Sequence, residues 1–321
     1  MEEFFEAVDL RFSVFTFKLI ALDHLELPLY KGSTFRGGMG WGMADLCQDK
    51  SKNFDCLTCS LTGKCPYAIL FSNPNTQVQK MPLDAEHLPH PFVLRPPLTE
   101  QKFYKPGDAL ECQLILFGSV VGYLPFYIYA FELFGEYGIG KGRGRFILTE
   151  IRDAFSGKEL YNNHDKSPSP DFMVMSFSRI RKMALPWRSS ELTLNLISPT
   201  QVIDDNETVR EISFVLLIRA LLRRASLLSR LYEDKKWEMD FHGIIAQASE
   251  DVTNYTTRLV DARWERYSTT SGKRFPVDGV RGQIRYQGNF QPYLPLIRLG
   301  HYLHIGKKTT HGMGYYELLD S

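Results

Sequence analysis

An α+β protein made of two copies of one domain is what this sequence predicts. Three observations carry the prediction. The 321 residues are long for one core and comfortable for two. Alternating stretches rich in β-branched and aromatic residues are interleaved with helical patterns. Finally, two segments far apart in the chain repeat each other. Tyr123-Leu124-Pro125-Phe126, Ile139-Gly140-Lys141 and Gly142-Arg143-Gly144-Arg145-Phe146 recur as Tyr293-Leu294-Pro295-Leu296, Ile305-Gly306-Lys307 and Gly312-Met313-Gly314-Tyr315-Tyr316. The spacing from the first tyrosine to the last glycine is the same in both. The second copy has four fewer residues before its Ile-Gly-Lys and four more after it.

The elements follow in order. "LRFSVFTFKLIAL" alternates and predicts a strand. "LPLYKGSTFRGGMGWGMADLC" predicts a short helix whose glycines admit another backbone closely. A cysteine-rich segment comes next, and "HPFVLRPPL" is held extended by its prolines. "ALECQLILFG" is a second strand, with Cys112 as a small buried hydrophobe. "YLPFYIYAFELFGEYGIGKGRGRFILTEI" runs from aromatic helix through glycine loop to strand. The polar "YNNHDKSPSPD" reads as a linker. Beyond it, "ELTLNLISPTQV" is a strand. "VREISFVLLIRALLRRASLLSRLYED" is a long amphipathic helix, with Phe214, Ile218, Leu221, Ala225 and Leu228 as its apolar stripe. "DFHGIIAQASEDVTNYTTRLVDARWERYS" is helical early and extended late. "VDGVRGQIRYQGNF" reads as a hairpin strand, and helix, glycine loop and strand close the chain.

Each half therefore has the β-α-β-β-α-β order of a ferredoxin-like domain. The expected division is an N-terminal domain over 1–160, a linker over 161–172 and a C-terminal domain over 173–321. The cysteines at 47–65 form an insertion in the first domain.

Composition excludes more than it identifies. Hydrophobic residues make up 44% and charged residues 23% of the chain, as in ordinary globular proteins. The net charge is +1, so any footprint for nucleic acid must be local. "MEEFFEAVDL" lacks the pattern of a secretory signal, and Arg219 breaks the longest apolar helical stretch. A cytoplasmic protein with no membrane partner is expected.

The glycine loops exclude two nucleotide sites. A dinucleotide fingerprint follows a strand and opens a helix, whereas these glycines follow a helix and precede a strand. No G-x-x-x-x-G-K-[ST] occurs. Two readings remain. The glycines permit a tight helix-to-strand turn. Alternatively, bare backbone lets a phosphodiester chain lie close, with Gly306, Gly312, Gly314, Lys141, Arg143, Arg145, Lys307 and Lys308 as phosphate contacts. Basic residues interleaved with aromatics favour a polynucleotide for the second. Arg281 and Arg285, four positions apart and so on one strand face, are further candidates. "RIRKMALPWR" (Arg179, Arg181, Lys182, Arg188) is read as a strand or hairpin, gripping phosphates or merely solvated.

Cys47, Cys56, Cys59 and Cys65 form C-x8-C-x2-C-x5-C. In a cytosolic protein a local four-thiol set points to metal rather than disulfides. Four thiolates with no open position describe structural zinc. An iron–sulfur cluster uses the same ligands, and unmetallated thiols are the third alternative.

The tandem domains with glycine-rich loops resemble the RAMP superfamily of CRISPR-associated proteins. "LHIGKKTTHGMGYYEL" is similar to the signature of its repeat-processing endoribonucleases. "FRGGMGWGMADLC", the cysteines and "CPYAILF" resemble a cysteine-bearing branch of that family. The resemblance implies cleavage of CRISPR repeat RNA into guide RNAs, without a metal in the chemistry. Other CRISPR-associated proteins are implied partners. A non-catalytic RNA-binding subunit of an interference complex is the alternative on the same fold.

Such cleavage needs a base for the ribose 2′-hydroxyl, a cation for the phosphorane and an acid for the departing 5′-oxygen. It leaves a 2′,3′-cyclic phosphate. Histidine suits the proton transfers and lysine the charge. His301, His304 and His311 cluster around the second loop, where Gly135, Gly138 and Arg143 stand in the first. His304, His311 and Lys307 are therefore the catalytic candidates. His87, His90 and His164 read as surface residues, and His242 as a cap or core histidine. Several members of the family carry a catalytic histidine in the first helix, with a tyrosine and a lysine near. Here that region offers Tyr30, Lys31 and Arg36 as RNA contacts but no histidine. Either the C-terminal loop supplies the histidine, or Tyr and Lys carry the catalysis, or the chain binds RNA without cutting it.

Overall fold

The computed structural model describes residues 4–6, 8–47, 56, 59, 64–72, 88–183, 187, 189–205, 207–262, 264–267 and 274–319. Two compact units emerge. One gathers Arg11–Val174 and Arg230–Lys235, the other Met1–Leu10, Met175–Ser229 and Lys236–Ser321.

The amino-terminal unit holds β1 (Arg11–Ala21), β2 (Leu25–Glu26), α1 (Gly32–Ala44), β3 (Phe92–Arg95), β4 (Phe103–Tyr104), β5 (Ala109–Phe117), α2 (Leu124–Tyr137), β6 (Phe146–Asp153) and β7 (Glu159–Asn162). Its main sheet is antiparallel in the order β3-β5-β1-β6-β7. The first strand is central, which suits "RFSVFTFKLIA", whose buried run is longer than one face needs. A small second ladder pairs β2 with β4, Leu25 opposite Tyr104 and Glu26 opposite Phe103. Phe17 meets Phe131 of α2 at 4.7 Å, and Phe134 of α2 meets Phe146 of β6 at 5.0 Å. The glycines of α1 do what the sequence predicts. A Cβ on Gly42 would lie 2.2 Å from the Ala130 carbonyl oxygen, and one on Gly38 would enter the Phe134 ring. Only glycine lets α1 and α2 pack this closely. Cys112 is buried on β5, and burial pushes its thiol well above the usual range.

The carboxy-terminal unit holds β8 (Met175–Ser176), α3 (Phe177–Met183), β9 (Glu191–Thr200), β10 (Val202–Asp204), β11 (Glu207–Val209), α4 (Phe214–Glu233) up to Ser229, α5 (Phe241–Asp251), β12 (Asn254–Asp261), β13 (Trp264–Tyr267), β14 (Arg274–Val277), β15 (Val280–Gln287), α6 (Leu294–Leu303) and β16 (Tyr316–Leu319). Its main sheet is antiparallel in the order β12-β15-β9-β16, again with the first strand inside. Both units thus run strand, helix, two strands, helix, strand. The predicted stripe of α4 is buried throughout, and Arg219 and Arg223 face solvent. Each of its larger side chains, Phe214, Ile218, Leu221 and Leu228, contributes about 1.5–3 kcal/mol.

Two expectations change. "RIRKMALPWR" is not a strand: its described start is helix α3. Phe177 and Ile180, three apart, are buried, and Phe177 stacks on Trp237 at 5.6 Å. That is helical spacing, with Arg179 and Lys182 exposed, while Arg181 donates to the Phe5 carbonyl. Arg188 and His87 lie outside the described residues. His242 is exposed and is neither cap nor core. The cap of α5 is Asp240, whose carboxylate accepts the Gly243 N–H at 2.9 Å. Among the described residues no helix is long and apolar enough to cross a membrane.

Candidate active site

The second glycine loop begins where α6 ends. Pro295 opens α6, and His304 closes it at φ 61°, ψ 162°, its N–H donating to the Gly300 carbonyl at 2.8 Å. That backbone region is essentially reserved for glycine. The chain then folds back on β9 and the residues after it. Lys307 N–H donates to Gln201 O at 2.8 Å, Ile305 N–H to Gly314 O at 3.0 Å and Gly314 N–H to Pro199 O at 2.9 Å. A Cβ on Gly306 would lie 2.1 Å from Gln201 O, and one on Gly314 would lie 1.8 Å from Ile305 O. These glycines are therefore needed by the fold itself. Between them, Lys308 takes a left-handed conformation and Thr309–His311 make one 3-10 turn.

The histidines differ in access. His304 is fully buried. Its Nδ1–H donates to the Met313 carbonyl at 2.9 Å, since a carbonyl only accepts, and its ring stacks on Tyr315 at 5.3 Å. The half-buried His301 donates from Nδ1 to the Tyr316 carbonyl at 3.2 Å and meets the same Tyr315 ring at 5.1 Å. In the neutral state both imidazoles carry their lone pair on Nε2. Tyr315 in turn donates to Glu317 at 2.6 Å. His311 is half-buried, with Nδ1 3.2 Å from Thr310 Oγ1. Lys307 is exposed and Lys308 half-buried. Arg224 of α4 donates to the Leu303 carbonyl at 2.7 Å and satisfies the end of α6. Tyr315, Glu317 and Arg224 were not singled out by the sequence. Only Tyr315, directly after the glycine pair, carried a signal there.

The other candidates are spread widely. Arg281 and Arg285 are exposed on one face of β15, and Arg285 lies 3.6 Å from Glu191. Arg258, exposed on the neighbouring β12 opposite Gln283, joins them. Strand alternation in "NYTTRLVD" was the signal that could have found it. Lys141, Arg143 and Arg145 are exposed on the first loop; Lys141 pairs with Glu26 at 3.5 Å and Arg145 with Asp23 at 2.9 Å. Lys31 is wholly buried: its Nζ donates to the carbonyls of Thr99 at 2.6 Å and Leu29 at 3.3 Å. Burial lowers its pKa. Arg36 is half-buried, its guanidinium 4.8 Å above the Phe71 ring, and Tyr30 is half-buried.

Cys47 and Cys56 are buried, Cys59 and Cys65 half-buried. Tyr67 has its hydroxyl pushed up by burial and then by Cys56, with smaller contributions from Cys47 and Cys65. Among the described residues, no three His, Cys, Asp or Glu side chains are placed to hold a metal ion.

Residues 10–172 match a family model described as an N-terminal domain, and residues 194–316 match that of the CRISPR-associated endoribonuclease Cas6. The chain belongs to the family of that N-terminal domain, and its residues 194–316 are similar to Cas6. An uncharacterized protein of Archaeoglobus fulgidus is 24% identical over 304 residues, covering 91% of this chain and 92% of that one. Among solved structures, a Cas6 product complex is similar with a TM-score of 0.56 at 14% identity, over 96% of this chain and 100% of that chain. Thermus thermophilus Cas6 gives 0.54 at 14% identity, over 98% and 100%. A chain of a partial Cas6-RT-Cas1–Cas2 complex gives 0.56 at 11% identity, over 97% of this chain and 46% of that one. At such identities the structural likeness establishes the Cas6 fold, and the strained, histidine-bearing loop falls inside the matched Cas6 segment.

Proposed function

We propose that this chain is a metal-independent endoribonuclease that binds CRISPR repeat RNA and cuts it to make guide RNAs. The observation that carries the proposal is His304. It sits at 0% exposure in a backbone conformation suited to glycine, inside the segment that matches Cas6. Strain of this kind persists only where the surroundings over-determine it, and it gathers at functional sites.

The chemistry divides by access. A base takes the proton of the ribose 2′-hydroxyl, the 2′-oxygen attacks the adjacent phosphorus, and the bond from phosphorus to the 5′-oxygen breaks. An acid returns a proton to that 5′-oxygen, leaving a 2′,3′-cyclic phosphate and a 5′-hydroxyl. His311 and Lys307 reach solvent and fill the proton-transfer and phosphorane-stabilising roles. His304 does not reach solvent, so its role is to hold the loop against Met313 and Tyr315. Backbone N–H groups and Lys308 add phosphate contacts, with Arg281 and Arg285 holding RNA further along.

Labelled repeat RNA incubated with the protein in EDTA tests this. Cleavage at one position with a cyclic-phosphate end is expected. His311→Ala should slow single-turnover cutting by about 10²–10⁴-fold. Wild-type rates in both His311→Ala and His304→Ala would remove the site from this loop. RNA that is shifted but intact would instead support a non-catalytic RNA-binding subunit. That second reading is favoured by one observation: α1 contains no histidine.

We also infer a structural zinc held by Cys47, Cys56, Cys59 and Cys65. What supports it is the donor set, four thiols within one short stretch of chain, two of them buried. Bound there, zinc would cross-link the insertion and take no part in the cleavage. Elemental analysis of purified protein tests it: iron in place of zinc would mean a cluster, and neither metal would remove the site.

A further inference from the structure

The amino-terminal unit carries a cavity of about 620 Å³ beside the first glycine loop. A three-strand row forms its wall. Phe103 of β4 stands opposite Glu26 of β2, and Glu26 stands opposite Lys141 of the loop. Directly opposed residues of antiparallel strands share a face, so an aromatic, an acid and a base lie side by side. Glu26 reaches Lys141 Nζ at 3.5 Å. Phe103 is 68% exposed, the largest value among the exposed large hydrophobic side chains described. Gln101, Lys105, Asp108 and His24 are the other polar residues of the lining, beside Leu25 and Tyr104.

This combination fits one kind of ligand. The volume is that of a small-molecule site rather than a helix groove. A bare aromatic face suits stacking by an unstacked base, which every nucleobase offers. Lining carboxylates balance the lysines, so the cavity is not a simple phosphate trap. Gln101 and the carboxylates suit the donor edge of a base, while Lys141 and Lys105 suit the phosphate attached to it. In the second unit β10 and β11 pair in a separate two-stranded ladder.

We propose that this cavity is a subsite for one unpaired nucleotide of a bound single-stranded RNA segment, its base stacked on Phe103 and its phosphate on Lys141 and Lys105. The proposal rests on the RNA-binding reading above and adds a place and a mode to it.

The test uses the full chain and a short single-stranded RNA of random sequence carrying 4-thiouridine. Affinity is read by anisotropy, and cross-linked peptides are read by mass spectrometry. Phe103→Ala should weaken binding about tenfold and Phe103→Trp should restore it. The cross-link should fall on the peptide that contains Phe103. Because Phe103 is exposed, loss of fold does not confound the change, and thermal unfolding of the variant checks this. If wild type binds, Phe103→Ala binds equally and cross-links fall elsewhere, the subsite is wrong and the RNA-binding reading stands. If the wild type neither binds nor cross-links this RNA or repeat RNA, both fall together.

Discussion

The two glycine loops are copies at the level of single hydrogen bonds. Ile139 N–H donates to Gly144 O at 2.8 Å as Ile305 N–H does to Gly314 O at 3.0 Å. Lys141 N–H donates to Glu26 O at 3.0 Å as Lys307 N–H does to Gln201 O at 2.8 Å. Arg145 N–H donates to the Asp23 carboxylate at 3.0 Å, and Tyr315 N–H to Ser198 Oγ at 2.8 Å. Against this shared frame, three differences stand out. Gly138 ends α2 at φ 81°, ψ 161°, whereas His304 ends α6 at nearly the same angles. The exposed Arg145–Asp23 ion pair is replaced by a buried tyrosine and serine. The second loop also carries the extra turn Lys308–His311. The shared bonds belong to the fold, so function is to be sought in the differences.

The largest effect should come from breaking the shared frame. Gly314→Ala combines φ +76° with a Cβ 1.8 Å from a carbonyl oxygen. A loss of roughly 3 kcal/mol or more is expected, seen as a fall in denaturant midpoint. A stable variant would show that the loop can shift aside. The next effect separates the copies. His304→Gly restores the residue type of the first loop and should be about 1–2 kcal/mol more stable than His304→Ala, which keeps the strain and loses the ring. Equal stabilities would mean the conformation costs nothing. Smaller still, Gly142→Ala in the first loop meets no atom within 4 Å at φ +83°, so only the backbone term of about 1 kcal/mol should appear.

The smallest effect is electrostatic. The Arg145 guanidinium, hydrogen-bonded to Asp23, holds that carboxyl below the usual aspartate range. A depressed folded pKa gives stability that is complete above the unfolded value, about 4, and lost as pH falls through the folded one. Acid unfolding of wild type and Asp23→Asn should therefore converge only below about pH 4. Parallel curves throughout would show that the exposed pair contributes nothing.

Much of this was legible beforehand because it rests on local periodicity. Phe214, Ile218, Leu221, Ala225 and Leu228 have helical spacing and are all buried. The alternation of "RFSVFTFKLIA" marked the central strand, and "FRGGMGWGMA" announced a close helix contact. "RIRKMALPWR" misled because its charges conceal the spacing of Phe177 and Ile180, which lies partly outside the quoted run. The candidate site was read less well. Its histidines were found, but Lys31 and His304 turn inward, and Tyr315 and Arg224 were passed over. Burial of a polar side chain depends on partners distant in sequence, such as Thr99 for Lys31, and no local pattern records them.

By itself, then, the sequence determined the duplication, the order of strands and helices in each half and the special standing of the second loop. Those follow from spacing and residue type, which act over a few positions. Only the tertiary structure decided what the glycines are for. Their missing Cβ atoms make room for carbonyl oxygens of segments about a hundred residues away, Gln201 for Gly306 and Glu26 for Gly140. It alone also decided that His304 lies inside the fold, because a ring is hidden by what packs over it, and here that is Tyr315.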